Sequence, residues 1–459
     1  MPLESVNPAT GETVGTYEKL SEAALDRALD EAVAAQREWA LVPVAERAAL
    51  MNRAAQVLRE QRDEFARVIT EEMGKLVAEA RAEVEKCAKA CEYYAKNGPR
   101  FLADEVIETD ARRSWVACQP LGVVLAVMPW NFPFWQVFRF AAPALVAGNG
   151  GLLKHASNVP GCALAIERVF REAGFPEGLF RSLLIDTAKV EGIISDPRVS
   201  AATLTGSEPA GRAVAAQAGK ALKKTVLELG GSDAFVVLDD ADLDAAAEWG
   251  AKARYQNAGQ SCIAAKRFIL IEDIADAFLE KFRAHVGKLK PGNPADAHTT
   301  LAPMARKDLR DDLHEQVEDA LAKGATAVLG CRPVTDGEFG SGAYYEASIL
   351  ADVKENMRAW REELFGPVAI VIRVKDETEA LEVANGVSFG LGGCVWTRDA
   401  GRGEKFALRL ECGAAFVNGM VKSDPRLPFG GVKDSGYGRE LSHHGIREFV
   451  NEKSVWVGE

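Results

Sequence analysis

The sequence predicts an α/β protein built on parallel sheets. From residue 112 onward, short apolar segments with a strand pattern alternate with helical segments, and this alternation implies crossover connections between parallel strands. A chain of 459 residues also exceeds what one hydrophobic core usually serves, so we expect two large domains. Apolar residues make up 47% of the chain and charged residues 27%, which is typical of a globular enzyme.

The N-terminal part is predicted to be mainly helical. A turn at residues 7–12 is followed by Ser21, which suits a helix start, and apolar residues then recur at three- and four-residue steps as far as Gly98. Residues 112–118 and 122–128 have the pattern of strands, and the second is fully apolar. This part of the chain therefore leads from helices into the first strands of a sheet.

Two series of alternating strands and helices follow. We expect strands at 151–154, 180–185, 199–205 and 225–229 with helices at 160–173, 187–195 and 209–219, then strands at 234–238, 267–271, 325–329, 368–374, 394–396 and 415–418 with helices at 242–257, 273–288 and 376–385. The tail at 449–457 resembles a strand with no element after it. An unpaired terminal strand promotes aggregation, so we expect another subunit to pair with it, beside 112–118.

Charge and cysteine content exclude several classes of protein. The net charge of −12 argues against nucleic acid or an anionic membrane as partner. The N-terminus lacks a signal-peptide pattern, and no apolar run reaches the roughly 20 residues needed to cross a bilayer. The eight cysteines are scattered without CxxC spacing, so we expect a cytoplasmic protein with neither disulfides nor a metal site.

A carboxylate and a thiol are the first candidates for chemistry. Glu228 ends an apolar run before a Gly-Gly turn, and Cys262 follows a glycine-containing loop. A thiolate can attack a carbonyl carbon, and a carboxylate across a small pocket can deprotonate water. Each residue alone is weak evidence, because a Glu before Gly-Gly is more often a turn residue and a lone Cys more often packs inertly.

Two further features strengthen this interpretation. Asn131 stands where an apolar strand ends and a helix begins, where its carboxamide can donate to an oxyanion or cap the helix. Lys154 ends another strand, and a turn at Gly206 and Ser207 opens a helix, which favours phosphate binding. The turn is not the GxGxxG fingerprint, so spacing alone gives only moderate support for a dinucleotide.

Together these motifs resemble the aldehyde dehydrogenase superfamily over essentially the whole chain. The matching segments, in family order, are Pro129–Asn131, Lys154, Thr205–Ser207, Glu228–Gly231, Gly259–Cys262, Glu362–Pro367, Pro428–Gly431 and Ser435–Glu440. Within the superfamily, residues 153–158 and 410–414 most resemble the short bacterial succinate-semialdehyde dehydrogenases.

The resemblance implies an aldehyde dehydrogenase-like fold. A Rossmann-type parallel-sheet domain for the dinucleotide would comprise 1–104 and 120–229, and an α/β catalytic domain would comprise 230–440. The segments 105–119 and 441–459 would form a small oligomerisation arm. A homodimer or homotetramer is therefore expected.

The resemblance also assigns roles to residues. Cys262 would be the nucleophile that forms a thiohemiacetal and then a thioester, Asn131 and the backbone N–H of Cys262 would hold the oxyanion, and Glu228 would activate the hydrolytic water. Among the cofactor contacts, Glu363 would hold the nicotinamide ribose with Phe365 beside it, Lys154 would contact the adenosine ribose, Ser207 the pyrophosphate, and Trp130 would lie near the adenosine-side path. Ser157, Gly206 and Leu229 complete the set of cofactor contacts.

Substrate and cofactor choice rest on a few positions. Trp135 and Arg139 lie four and eight residues after Asn131, on one face of a helix, and an arginine there can bind a carboxylate through two hydrogen bonds. We therefore expect a carboxylated aldehyde, succinate semialdehyde first, with Ser261 and Ser423 as lesser contacts. The common fate of an arginine, a surface position in a salt bridge, is the alternative.

Serine at position 157 bears on the cofactor. Many NAD-preferring relatives carry Glu at this position, and a carboxylate would repel a 2′-phosphate. With Ser157, and with Lys154 available to pair with the phosphate, we expect NADP to be preferred and NAD to be accepted. Three alternatives stay open: glutarate semialdehyde as the substrate, a CoA-acylating dehydrogenase, and a family member without catalysis. Glu228 argues against the acylating branch, which tends to lack this base.

Overall fold

The computed structural model describes residues 2–459 and contains helices and strands throughout this range. The α-helices are α1 (Glu22–Leu41), α2 (Val44–Glu60), α3 (Arg62–Met73), α4 (Val77–Phe101), α5 (Trp135–Ala147), α6 (Pro160–Glu172), α7 (Val190–Ser195), α8 (Glu208–Lys220), α9 (Leu243–Tyr255), α10 (Glu272–Val286), α11 (Lys307–Ala322), α12 (Arg358–Arg361), α13 (Glu377–Asn385), α14 (Ala400–Ala407) and α15 (Ser442–Arg447). Short 3₁₀ turns lie at Thr187–Lys189, Gln256–Gly259 and Gly337–Phe339.

The strands form three larger sheets and two short pairs. They are β1 (Leu3–Val6), β2 (Thr13–Tyr17), β3 (Glu105–Val106), β4 (Arg113–Pro120), β5 (Val123–Met128), β6 (Gly150–His155), β7 (Phe180–Ser182), β8 (Val199–Thr205), β9 (Lys224–Glu228), β10 (Asp233–Val237), β11 (Ala265–Ile271), β12 (Thr326–Leu329), β13 (Ser348–Ala351), β14 (Val368–Val374), β15 (Phe389–Gly390), β16 (Gly392–Trp396), β17 (Ala414–Val417), β18 (Val432–Lys433), β19 (Gly436–Tyr437) and β20 (Val450–Val457). The predicted α/β class with parallel sheets is confirmed.

The first sheet has six strands in the order β19-β9-β8-β5-β6-β7, and all neighbours are parallel except β19 and β9. Alternate residues of β5 face opposite sides of the sheet. Val123 and Leu125 pack with α1, α7 and α8, whereas Val124 and Ala126 pack with the core that includes α4, α5 and α6. Helices therefore cover both faces, which is why the strands are apolar along their whole length.

The second sheet has seven strands in the order β12-β13-β14-β11-β10-β16-β17, and all neighbours are parallel except β12 and β13. The same alternation holds in β10, where Phe235 and Val237 face one core and Ala234 and Val236 face the other. The two parallel sheets fit the expected two-domain organisation, and the domain boundaries themselves stay a prediction.

The third sheet has the order β20-β4-β3 and corrects one expectation. The C-terminal strand pairs antiparallel with β4 of the same chain, from Val450 opposite Pro120 to Val457 opposite Arg113. The partner segment is the predicted one, but it belongs to this chain and not to another subunit. Among residues 2–459, β20 has no second neighbour, so one edge of this sheet is open.

No helix within residues 2–459 is long and apolar enough to span a bilayer.

Candidate active site

The candidate site collects residues from three segments that follow strands or precede them. Asn131 lies just after β5, Glu228 is the last residue of β9, and Cys262 lies in the loop before β11. The carboxyl ends of parallel strands are where open α/β sheets bind their ligands. The positions of all three residues in the chain therefore suit a shared site.

The loop before Cys262 is held in an uncommon backbone conformation. Asn257, Ala258 and Gly259 have φ values of 54°, 50° and 72°, so three consecutive residues lie in the left-handed region. A Cβ at Gly259 would stand 2.3 Å from the carbonyl oxygen of Gly366, which only glycine avoids. Such strain persists only when the surroundings enforce it, and it is common at functional sites.

Lysine 266 fixes the carbonyl groups of this loop. Its ammonium group donates to the carbonyl oxygens of Ser261 at 2.7 Å and Cys262 at 2.6 Å, and it lies 3.0 Å from Glu363 Oε1. Because both carbonyl groups are bonded to Lys266, the backbone on either side of the Cys262 side chain is held in one orientation. Lys266 is thus a positioning residue that the sequence analysis did not identify.

The Asn131 carboxamide is fixed at both ends. Its Nδ2 donates to the carbonyl oxygen of Gln260 at 3.1 Å, and its Oδ1 accepts from Gln136 Nε2 at 3.0 Å. An NH₂ group has two hydrogens, so one remains for an oxyanion next to Cys262. The side-chain amide of Asn257 donates to both Asn131 O and Gln260 O, at 2.8 and 3.0 Å, and this ties the two segments together.

A buried ion pair contacts the backbone of the Asn131 segment. Lys75 pairs with Glu83 and donates to the Asn131 carbonyl oxygen at 2.9 Å. Glu83 Oε1 accepts from the backbone N–H groups of Phe134 and Trp135, at 2.9 and 3.0 Å, at the start of α5. A carboxylate at a helix N-terminus stabilises the helix, so this pair sets where α5 begins. Nothing in the sequence pattern singled out either residue.

Burial dominates the ionisation of Cys262. Cys262 is half-buried, and desolvation of its thiol raises the pKa to about 12, although the positive charges of Arg139 and Lys266 oppose the shift. The nearby carboxylates of Glu363 and Glu228 act in the same direction as burial. The thiolate that attack requires is therefore a minor species at neutral pH in the protein alone.

Among the described residues, the surroundings of the Glu228 side chain lack the hydrogen bonds that hold the residues around Cys262. Its side chain is 2% exposed, and neither carboxylate oxygen has a hydrogen-bond partner among residues 2–459. Burial raises the pKa of Glu228 well above its ordinary value, and the charge of Arg139 opposes this shift. Burial without hydrogen bonds favours the neutral acid, so Glu228 has to gain a partner before it can act as a base.

A cavity of about 140 Å³ opens beside the Cys262 side chain. Its walls include Lys86, Trp135, Arg139, Ser261, Cys262 and Ser423. The structure thus brings the four residues that the sequence analysis proposed for the substrate into one cavity with the nucleophile. Their roles as substrate contacts stay predictions. Lys86 is an addition, because it comes from α4 and carries no motif.

Arg139 contacts Glu440, Thr205 and Phe429, none of which the sequence predicted as its partner. It forms a buried ion pair with Glu440, its Nη2 donates to Thr205 Oγ1 at 3.1 Å, and it lies 4.6 Å from the ring centroid of Phe429. Burial raises the pKa of Glu440, and its pairing with Arg139 opposes this rise. The predicted grip of Arg139 on a substrate carboxylate therefore competes with Glu440 for the same guanidinium group.

Phe365, predicted for the nicotinamide side, contacts Trp130, which the resemblance places near the adenosine-side path. Their rings meet edge to face with centroids 5.7 Å apart. Glu363 Oε1 accepts from the backbone N–H of Gly231 at 3.1 Å, and a Cβ on Gly230 would stand 2.5 Å from its other oxygen. Glu363 is therefore held against the Gly-Gly turn that follows Glu228, with 19% of its side chain exposed.

The residues predicted for the phosphates lie at the ends of β6 and β8, the two strands on either side of β5. Lys154 is in β6, and Gly206 follows β8, with its N–H bonded to the Glu228 carbonyl oxygen at 3.0 Å. Ser207 is the residue before α8, and its exposed side chain makes no capping bond. Among residues 2–459, no carboxylate lies within 4.0 Å of Lys154 Nζ. A helix N-terminus without a side-chain cap and an unpaired lysine at the same edge of the sheet fit an anionic cofactor.

Two further predicted cofactor residues border this region. Ser157 is exposed just beyond β6, where its side chain leaves room for a phosphate. Leu229 is buried against α8, since a Cβ on Gly211 would stand 2.5 Å from its side chain. Leu229 therefore contributes to the packing of α8 against the sheet. All eight cofactor assignments stay predictions.

Comparisons with known proteins agree with this geometry. The profile of the aldehyde dehydrogenase family matches residues 1–455. The chain is 50% identical over 457 residues to a probable succinate-semialdehyde dehydrogenase [NADP(+)] of Synechocystis sp., and 100% of both chains is covered. It is 51% identical over 462 residues to the succinate-semialdehyde dehydrogenase [NADP(+)] of Mycolicibacterium paratuberculosis, covering 100% of this chain and 97% of the relative.

Solved structures give the same result. The succinic semialdehyde dehydrogenase of Streptococcus pyogenes in complex with NADP⁺ superposes with a TM-score of 0.97 at 39% identity, and 100% of each chain is covered. The succinate-semialdehyde dehydrogenase of Burkholderia pseudomallei superposes with a TM-score of 0.96 at 37% identity, covering 100% of this chain and 95% of the other.

Proposed function

This chain belongs to the aldehyde dehydrogenase family, and we propose on that basis that it oxidises succinate semialdehyde to succinate with NADP⁺. Relatives at about half identity over the whole chain carry the name succinate-semialdehyde dehydrogenase [NADP(+)]. The observation that carries the proposal is the cavity in which the Cys262 thiol shares its walls with three cationic side chains (Lys86, Arg139 and Lys422) and several hydroxyl or indole side chains. An aldehyde with a carboxylate at its far end suits such walls.

The first step is the attack of the Cys262 thiolate on the aldehyde carbon. A C–S bond forms, and the carbonyl π electrons move to oxygen, which gives a thiohemiacetal alkoxide. The free N–H of the Asn131 carboxamide and the backbone N–H of Cys262 would donate to this alkoxide. Because Gln136 and Gln260 already fix the carboxamide, little reorganisation is needed when the charge develops.

A bound nicotinamide cofactor would supply the hydride acceptor for the adduct on Cys262, which would then become a thioester. Glu363, held by Gly231 N–H and Lys266, would orient the nicotinamide side, with Phe365 and Trp130 beside it. Lys154 and the turn at Gly206 and Ser207 would hold the phosphates. We propose that Ser157 and Lys154 together accept the 2′-phosphate, so that NADP is preferred and NAD is used as well.

Hydrolysis of the thioester falls to Glu228. As an ionised base, Glu228 takes a proton from water while the water oxygen attacks the thioester carbon, and collapse of the adduct expels the Cys262 thiolate. The products are succinate and the free enzyme. The unbonded carboxylate of Glu228 can turn toward Cys262 without first breaking a hydrogen bond, because it has none. Arg139, which opposes the rise in the pKa of Glu228, favours its ionised form.

A substrate panel tests the proposal. Succinate semialdehyde, glutarate semialdehyde and butanal are each oxidised with NADP⁺ and with NAD⁺, in the presence and absence of CoA. We expect succinate semialdehyde with NADP⁺ to give the highest kcat/KM and CoA to have no effect. A preference for butanal would contradict a carboxylated substrate. Dependence on CoA would favour the acylating reaction, and a KM for NADP⁺ more than about tenfold above that for NAD⁺ would contradict the role of Ser157.

We also propose a homodimer or homotetramer. The open edge of the sheet formed by β20, β4 and β3 supports this, because an exposed strand edge is usually covered. All eight cysteines are free thiols, which supports a reducing compartment such as the cytoplasm. Light scattering coupled to size exclusion measures the assembly, and a monomer at micromolar concentration would contradict the proposal.

A further inference from the structure

Lysine 86 reaches the active-site cavity from α4. Its ammonium nitrogen lies 2.7 Å from Ser423 Oγ and 4.1 Å from the ring centroid of Trp135. The indole Nε1 of Trp135 also donates to Ser423 Oγ, at 3.0 Å. Three polar groups thus converge on one wall of the cavity that contains Cys262.

The charge of Lys86 has no partner in the protein. Among residues 2–459, no carboxylate lies within 4.0 Å of its ammonium nitrogen. The two carboxylates whose charges act on it are taken by other cations, Glu83 by Lys75 and Asp424 by Arg426. Burial and the nearby Arg139 lower the pKa of Lys86 to about 8, which reflects the cost of an unpaired charge in this position.

Arg139, which lines the same cavity together with Lys86 and Lys422, differs in this respect. Its guanidinium group is paired with Glu440 and bonded to Thr205. A substrate carboxylate that bound Arg139 would have to displace Glu440 or share the guanidinium group with it. At Lys86 the carboxylate would meet a cation with no competitor and a hydroxyl group that is already in place.

We infer that Lys86 and the hydroxyl of Ser423 bind the carboxylate of the aldehyde substrate, with the Trp135 indole beside it. This inference rests on the proposed oxidation of a carboxylated aldehyde at Cys262 and adds the residue that selects it. Arg139 then acts on Glu228 and Glu440, and it contributes to the substrate site through the general positive potential of the cavity.

The test compares two aldehydes of equal chain length, succinate semialdehyde and butanal. Lys86→Met removes the charge and keeps a side chain of similar length. Lys89→Met is the matched control, since it removes the same charge from the exposed face of the same helix. We expect the ratio of kcat/KM for the two aldehydes to fall at least about thirtyfold in Lys86→Met, mainly through the KM of succinate semialdehyde. Lys86→Arg should recover part of this ratio.

A ratio that stays within about threefold of the wild-type value in Lys86→Met would overturn the inference. An equal fall in Lys89→Met would also overturn it, because long-range attraction would then account for the effect. The proposed function fails separately and earlier, if the wild-type enzyme itself shows no preference for succinate semialdehyde over butanal.

A measurement on the wild-type protein covers the case in which Lys86→Met does not fold. Lysine residues are acetylated with acetic anhydride in the presence of succinate or of butyramide, which has the same chain length and no carboxylate, and the modified peptides are quantified by mass spectrometry. We expect succinate to protect Lys86 more than butyramide does, and Lys89 to react equally in both. Equal modification of Lys86 with the two compounds would overturn the inference.

Discussion

The nucleophile side and the base side of the active site are built in opposite ways. Around Cys262, the Asn131 carboxamide, Gln260 and the two loop carbonyls are all fixed by hydrogen bonds. The side chain of Glu228 is buried, yet among residues 2–459 neither of its carboxylate oxygens has a hydrogen-bond partner. One side is prepared for a charge that develops in place, and the other holds a group free to move.

This difference matches the two halves of the reaction. Formation of the thiohemiacetal needs donors that are already aimed at the oxyanion, because reorganisation would raise the barrier. Hydrolysis occurs only after hydride transfer, so its base is not required while the thiohemiacetal forms. Burial keeps the carboxylic acid of Glu228 neutral during the first half of the reaction, and the group can ionise when hydrolysis requires a base. The predictions below separate the two sides.

Loss of the nucleophile should have the largest effect. Cys262→Ala is expected to lower kcat at least about 10⁴-fold, because no other group can form the thioester. Steady-state production of NADPH measures the effect. Cys118→Ser, which changes a cysteine in β4, is the matched control and should retain activity. Substantial turnover by Cys262→Ala would show that hydride transfer proceeds without a covalent adduct.

Removal of the base should separate the two halves in time. Glu228→Gln keeps the shape of the side chain and is expected to lower steady-state turnover by about 10²- to 10⁴-fold. The first turnover should persist as a burst of NADPH equal to the concentration of active sites, because acylation depends on the nucleophile side. Rapid-mixing absorbance at the NADPH band measures the burst. Loss of both burst and turnover would mean that Glu228 also acts in acylation.

A substitution on the nucleophile side should lower activity through its effect on the Asn131 carboxamide. Gln136→Met removes the donor that orients the Asn131 carboxamide and is expected to lower kcat/KM about tenfold, roughly 1.4 kcal/mol. Asn131→Ala should cost about 10²- to 10³-fold, as for other oxyanion donors. In the double variant Gln136→Met should add nothing, since its target is already absent. Additive losses would assign Gln136 a separate role.

The smallest effect concerns the pH dependence of Cys262 reactivity. Burial raises the pKa of this thiol to about 12, so the thiolate fraction increases with pH over the whole accessible range. Without cofactor, the rate of alkylation by iodoacetamide should rise about threefold per half pH unit from pH 7 to 9, with no plateau. Mass spectrometry of the Cys262 peptide measures this rate. A plateau near pH 8 would mean that Arg139 and Lys266 outweigh burial.

The sequence predicted those parts of the site that follow from strand ends and motifs. Parallel strands bring their carboxyl ends to one edge, so Asn131 and Glu228 could be expected near each other from the αβ alternation. The strands at 199–205 and 368–374 begin and end where the periodicity indicates. By contrast, β13 at Ser348–Ala351 has only four residues, too few for a period to be recognised.

Contacts between side chains that only the packing of the fold brings together could not be predicted from the sequence. Lys86 lies in an ordinary helical pattern, and only the packing of α4 against α5 brings it to Trp135. Arg139 and Glu440 are likewise distant in the chain and meet in the core, whereas Lys75 and Glu83 are only eight residues apart and pair across the start of α4. Charged residues in helices are usually solvated, so nothing in the pattern marked these as buried.

The most direct test of the account is the covalent state of Cys262 during turnover. Glu228→Gln is mixed with succinate semialdehyde and NADP⁺, quenched with acid, digested and analysed by mass spectrometry. We predict that the peptide containing Cys262 gains the mass of one succinyl group, while the wild-type enzyme under the same conditions shows little of it. A Cys262 peptide of unchanged mass after a full burst of NADPH would contradict the account, because oxidation would then have occurred without the thioester.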